Sequence, residues 1–261
     1  MSRVYEALKK AEAERKGPVG FTEEGKEVHL IEDLKLSDIL VTLKEPKSQA
    51  AEQFKKVCIH ILQNSLAEKK TILITSALPL EGKTITAANL AIAFAQTPEI
   101  YAILIDADLR KPNLHKLLGI SIDKGLRDYL EASVPLSEIF YKTSIPKLSL
   151  IPAGRPSKSP VELLSSPRMK SLINELRETY PRSYIIIDST PILLTSESDI
   201  LLNQADGIIV VVQYGKTQRD ALERSLKFLD KKKIVGIIFN KVDYKLLRYK
   251  YGYSHYYNHE K

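Results

Sequence analysis

The sequence predicts an α/β fold, a doubly wound and mostly parallel sheet, and three observations carry that prediction. Apolar runs of strand length recur from residue 71 onward: TILIT (71–75), YAILID (101–106), KLSLIPA (147–153), YIIID (184–188), GIIVVVQ (207–213) and IVGIIFN (234–240). They are continuous rather than alternating, so both faces of each strand must be covered. Helical patterns separate them at 84–96, in pieces up to about 139, and at 167–179 and 217–230, with no internal repeat or low-complexity tract.

Ahead of this alternation, residues 2–16 read as a short helix, with Val4, Leu8 and Ala11 on one face and Gly17-Pro18 as its stop. A polar stretch follows to about residue 45, and a second helical pattern runs over 48–66. The predicted organisation is an N-terminal helix and linker arm (1–45), one nucleotide-binding domain (46–243) and a flexible tyrosine-rich tail (244–261). Six of the thirteen tyrosines, Tyr244, Tyr249, Tyr251, Tyr253, Tyr256 and Tyr257, lie in that tail among Lys, Arg and His. Taken alone, such a tail also fits a packed terminal strand, because tyrosine favours strands and interfaces.

Composition narrows the classes. The 261 residues are 44% hydrophobic, ample for a buried core. One cysteine and no tryptophan exclude a disulfide framework and a cysteine-based zinc site, which points to a reducing, cytoplasmic setting. No apolar run approaches the roughly 18 residues of a membrane span, and MSRVYEALKKAEAERKG lacks the apolar centre of a secretory signal. The net charge of +7 and pI near 9.2 invite comparison with nucleic-acid binders. No helix-turn-helix, zinc-finger or aromatic RNA-binding signature accompanies them, and runs such as KKK at 231–233 read as solvated faces, so no nucleic-acid partner is expected.

The chemistry-bearing motifs sit at strand ends. The first strand runs into SALPLEGKT (76–84), a phosphate-binding loop with Ala77 in the first position, followed by Pro79, Leu80, Glu81, Gly82, Lys83, Thr84 and Ile85. Backbone N–H groups of such a loop, together with the helix N-terminus behind it, face phosphate oxygens. Gly82 permits close approach, Lys83 neutralises charge, and the Thr84 hydroxyl can ligate Mg²⁺. Leu80 stands where many such loops carry glycine, so backbone strain is expected there. The second motif, ILIDADLRKP (103–112), places Asp106 and Asp108 together, a repulsive pair unless a cation lies between them. The third, YIIIDST (184–190), ends a buried strand in Asp188, as a Walker B aspartate does.

In this order, the three motifs resemble those of the bacterial tyrosine kinases of capsule and exopolysaccharide synthesis. The resemblance runs from about 46 to 243 and takes in GLRDYL (125–130), LIPAGRPSKSPVELLSSPRM (150–169), VVVQYGKT (210–217) and the tyrosine tail. It implies a P-loop NTPase fold of the MinD/ParA-like branch and an autokinase that moves the γ-phosphoryl of ATP to its own tail. By motif matching it implies catalytic roles for Lys83, Asp106 and Asp108, nucleotide contacts from Ala77, residues 79–85 and Asn240, and Mg²⁺ at Thr84, Asp106 and Asp188. A transmembrane polysaccharide chain-length or export protein as activator, a cognate tyrosine phosphatase, self-association, and recruitment to the inner face of the membrane are also implied.

The chain departs from the family pattern at EQFKKVC (52–58). An E-x-x-R-x-x-R helix that joins subunits is expected there; Glu52 is kept, but Lys55 and Cys58 replace the two arginines, without the bidentate fork. NKVD (240–243) matches a guanine-reading motif, which keeps GTP open beside ATP. Two other readings remain: a nucleotide-switched partitioning-type ATPase, and a non-catalytic scaffold of polysaccharide export. The first would carry a second lysine near the start of the loop, where this chain has Leu78.

Overall fold

The structure is a computed structural model and describes residues 29–31, 37–63 and 70–243. In chain order the strands are β1 (His29–Ile31), β2 (Thr71–Ser76), β3 (Tyr101–Asp106), β4 (Tyr141–Thr143), β5 (Leu148–Ile151), β6 (Ser183–Asp188), β7 (Gly207–Gln213) and β8 (Ile234–Asn240). The helices are α1 (Val41–Lys44), α2 (Gln49–Gln63), α3 (Lys83–Gln96), α4 (Leu114–Leu117), α5 (Leu126–Leu130), α6 (Pro160–Ser165), α7 (Pro167–Thr179), α8 (Glu197–Gln204) and α9 (Arg219–Leu226). One eight-stranded sheet runs β1-β4-β5-β3-β6-β2-β7-β8. All pairings are parallel except β4 with β5.

Side chains alternate across a strand, so a continuous apolar run must feed two cores. Leu73, Ile103, Ile105, Ile185, Ile187, Ile208 and Val210 pack on one face with residues of α5 to α8. Ile72, Ile74, Ala102, Leu104, Tyr184, Ile186, Ile209 and Val211 pack on the other with α2, α3 and α4. Helix α3 is apolar nearly all round and is buried from Thr86 to Ala95, as such a helix must be. Its Phe94 stacks on Tyr184 with ring centroids 4.4 Å apart.

Three features differ from the sequence reading. Residues 37–45, assigned above to the arm, are docked on α3: Leu40 and Thr42 are fully buried, and the Thr42 N–H donates to Asn89 Oδ1 at 2.9 Å. The packed domain therefore extends back to residue 37. Strand β8 is not covered on both faces; it is the sheet edge, with Phe239 58% exposed. Helix α9 is shorter than 217–230, and Phe228 beyond its end is exposed. The predicted helix 2–16 and tail 244–261 lie outside the described residues.

Candidate active site

Parallel strands deliver their C-terminal ends to one edge, and the order β3-β6-β2 puts three motif-bearing ends side by side. Asp106 and Asp188 are register partners on β3 and β6, and Asp188 is also opposite Ile74 of β2. The loop of 77–82 rises from β2 into α3 directly beside them. Lys83 opens α3 and is buried.

The loop conformation is demanding. Gly82 has φ +97°, and a Cβ there would lie 1.9 Å from Asn240 Nδ2, so glycine is required twice over. Leu80 sits at φ +62° with its side chain in solvent, the strain expected from the sequence, worth about 1–2 kcal/mol for a residue with a Cβ. Several contacts hold it. The Glu81 carboxylate is buried, accepts the Leu78 N–H at 2.8 Å and takes a short hydrogen bond from the Thr217 hydroxyl. Asn240 Nδ2 donates to the Glu81 carbonyl at 2.9 Å, and Lys241 Nζ donates to the Leu80 carbonyl at 2.7 Å.

The carboxylates are under electrostatic stress. Asp106 is fully buried; it accepts the N–H groups of Asp108 and Leu114 at 3.2 Å each. Burial, then the nearby Asp188 charge, push its pKa well above the ordinary carboxylate value, against the pull of the Leu114 N–H. Burial likewise raises Asp188 to about 7, opposed by the Thr84 hydroxyl bonded to it and by the Lys83 charge. Asp188 Oδ1 has no hydrogen-bond partner among the described residues. Lys83, Thr84, Asp106, Asp108 and Asp188 thus interact as one cluster. Asn240 stands on the opposite side of the loop, against Gly82. The six tail tyrosines lie outside the described residues.

Some residues of the site were not legible in the sequence. Arg110, whose side chain is 51% exposed, pairs through Nε with the buried carboxylate of Glu197 at the start of α8. That contact ties the loop after β3 to the segment after β6. Thr217 lies inside VVVQYGKT and Lys241 inside NKVD, and no spacing rule points from them to the loop they hold.

The arrangement defines a P-loop nucleotide-binding protein: a strand, a phosphate loop and a helix N-terminus, beside two buried aspartates. Residues 69–235 match a family described as "AAA domain". Similarity narrows the class. The chain is 36% identical over 204 residues to the tyrosine-protein kinase YwqD of Bacillus subtilis, covering 77% of this chain and 85% of that protein. It is 35% identical over 240 residues to the succinoglycan biosynthesis transport protein ExoP of Rhizobium meliloti, covering 83% of this chain and 29% of that longer protein. The solved VpsO kinase domain superposes with a TM-score of 0.65 at 29% identity, over 75% of this chain and all of that one. The septum site-determining protein MinD of Pyrococcus horikoshii, at 23% identity and TM-score 0.53 over 65% of this chain and 69% of that one, shares the fold alone. The chain belongs to the bacterial tyrosine-protein kinases.

Proposed function

We propose that this kinase transfers the γ-phosphoryl group of ATP to tyrosines of its own tail and thereby regulates exopolysaccharide or capsule synthesis and export. The observation that carries this reading is the single cluster of Lys83, Thr84, Asp106, Asp108 and Asp188 at the mouth of the phosphate loop. Lys83 and the backbone N–H groups of 80–84 bind the phosphates. Phosphoryl transfer needs mostly positioning and charge stabilisation.

The residues present fit Mg²⁺. Among the described residues no group of three or more His, Cys, Asp or Glu forms a complete metal cage. Mg²⁺ typically shares its shell with waters and phosphate oxygens, so one or two carboxylates suffice. Asp188, with one unpartnered oxygen, and Asp106, raised first by burial and then by the Asp188 charge, are destabilised in a way that a divalent cation relieves, and the Thr84 hydroxyl is the third protein donor. The chemistry that Mg²⁺ supplies there is neutralisation of charge on the phosphates.

Asp106 is the proposed base for the acceptor phenol. A carboxylate is a weak base toward a group of pKa about 10, so proton transfer falls after the loose transition state. Asp108, half-buried and accepting the Lys111 N–H at 2.9 Å, orients this segment. Asn240 is proposed to contact the base through its carboxamide oxygen, since its Nδ2 is held by the Glu81 carbonyl, and ATP is proposed over GTP.

Autophosphorylation at Tyr244, Tyr249, Tyr251, Tyr253, Tyr256 and Tyr257 reverses the charge of a basic tail, since each phosphate adds about −1.5 to −2 charges. We propose that this reversal weakens self-association and docking on a transmembrane polysaccharide-export partner, and that a phosphatase resets it. The partner is suggested by the likeness to ExoP. No helix among the described residues is long and apolar enough to cross a membrane. Recruitment to the inner face is proposed to run through that partner. The intrachain Glu52–Lys55 ion pair at 2.7 Å and the buried Cys58 leave helix α2 little to offer a neighbouring subunit by the arginine route.

Incubation of the pure chain with Mg-ATP, with phosphotyrosine mapped by mass spectrometry, tests the reading. Tail phosphotyrosine that disappears in Lys83→Met and falls sharply in Asp106→Asn is the expected result. Nucleotide hydrolysis without phosphotyrosine would replace it with the partitioning-type switch.

A further inference from the structure

Two sequence segments stay unexplained by the catalytic cluster: YGKT at 214–217 and NK at 240–241. Both converge on the phosphate loop from the side away from the aspartates. Thr217 accepts the Gln213 N–H at 3.0 Å and donates its hydroxyl to Glu81 Oε1. The other Glu81 oxygen holds the Leu78 N–H, so one buried carboxylate links the start of the loop to the turn after β7. Asn240 and Lys241 meet the loop's Glu81 and Leu80 carbonyls, and the Tyr214 N–H donates to the Asn240 carbonyl at 2.9 Å, locking turn and strand end together.

The strained residue lies at the centre of this network. Leu80, at φ +62°, needs surroundings that over-determine its conformation, and Lys241 itself adopts φ +56° as it reaches the Leu80 carbonyl. We infer that Thr217 and Lys241 are positioning residues that hold the phosphate loop in its receptive shape and so set nucleotide affinity. Lys241 pins the Leu80 carbonyl, and Thr217 braces the Glu81 carboxylate that holds the Leu78 N–H, so the backbone of the loop is fixed from both ends. Pre-organisation of this kind lowers the ordering cost paid on binding. Because Lys241 directly follows β8, three residues before Tyr244, the same contact couples the loop to residues 241–243, the root of the tyrosine-rich segment. By linkage, a ligand that tightens the loop also tightens that root.

The inference rests on the loop binding nucleotide, and the test separates the two. Equilibrium titration of the full chain with a fluorescent ADP analogue is compared for wild type, Lys241→Ala, Lys241→Arg, Thr217→Val and Thr217→Ser. The Ala and Val variants are expected to bind on the order of tenfold more weakly, with Arg and Ser recovering most of the loss. In kinase assays the defect falls on KM for ATP more than on kcat. In nucleotide-free protein, hydrogen exchange at residues 78–82 quickens while exchange in β3 and β6 stays as in wild type, which a general loss of folding would not give. Wild-type affinity in both Lys241→Ala and Thr217→Val, or unchanged exchange at 78–82, overturns the positioning role. A wild-type chain that binds no nucleotide overturns the phosphate-loop reading itself and the inference with it.

Discussion

Asp188→Asn provides the most searching test of the electrostatics of the site. In metal-free, nucleotide-free protein the Asp188 carboxyl is held at about 7 instead of its ordinary 3.8, chiefly by burial. The folded state therefore binds a proton that the unfolded chain has already released, between those two values. Stability is fullest below about pH 4, declines as pH rises through about 7, and then levels off. Each tenfold change in proton affinity is worth about 1.4 kcal/mol, so the charged carboxylate costs on the order of 4 kcal/mol at pH 8. Asparagine removes that cost while keeping the shape. For a domain of this size, about 2–4 °C per kcal/mol converts it to a Tm gain on the order of 10 °C at pH 8 and far less at pH 5. The assay is thermal denaturation in EDTA across pH 5 to 8, with Mg-ADP added in a parallel series. Mg-ADP should stabilise wild type more than the variant, because the cation relieves a charge the variant lacks. A wild-type Tm that is flat with pH, or a variant less stable than wild type at pH 8, would refute the assignment of burial as the governing cause.

Gly82→Ala drives a Cβ to 1.9 Å from Asn240 Nδ2 at a left-handed φ; nucleotide binding, followed by fluorescence titration, should fall by at least about tenfold, with a stability cost of roughly 1–3 kcal/mol. Arg110→Ala strands the buried Glu197 carboxylate and should cost about 1–3 kcal/mol in urea denaturation, a cost that Glu197→Gln in the same chain largely removes. Cys58 is buried, lies 3.6 Å from the Thr97 hydroxyl, and has its thiol pushed up to about 11 by burial. A disulfide reagent at pH 8 should therefore leave the folded protein unlabelled and modify it only after denaturation.

Much of this was legible from local sequence, for a physical reason. Strands covered on both faces must be continuously apolar, and β2, β3, β6 and β7 are. Strand β8 looks the same in sequence, because Ile237 and Phe239 reveal nothing about whether a neighbour covers them. The docked segment at 37–45 was hidden because its two fully buried residues, Leu40 and Thr42, are too few to set a period, and the Thr42 backbone bonds Asn89, 47 residues away. The phosphate loop and its aspartates could be recognised because each is contiguous and ends a strand. Their supports could not. Lys241 meets Leu80 across 161 residues and Thr217 meets Glu81 across 136, distances over which composition and spacing carry no information. The Arg110–Glu197 pair spans 87 residues and was invisible for the same reason.

The pairing of Asp106 with Asp188 across β3 and β6 makes the sheet a ruler for the chemistry. A slip of one residue between those strands would turn one carboxylate into the oily interior and bring Ile105 or Ile187 to the rim, since neighbours along a strand face opposite ways. A single-residue insertion or deletion inside β3 or β6 should therefore separate the two carboxylates even where stability tolerates it, whereas a change of length in the turns beyond the strand ends leaves their pairing intact. Any new acceptor specificity must be built there, around a pair of carboxylates whose separation cannot drift.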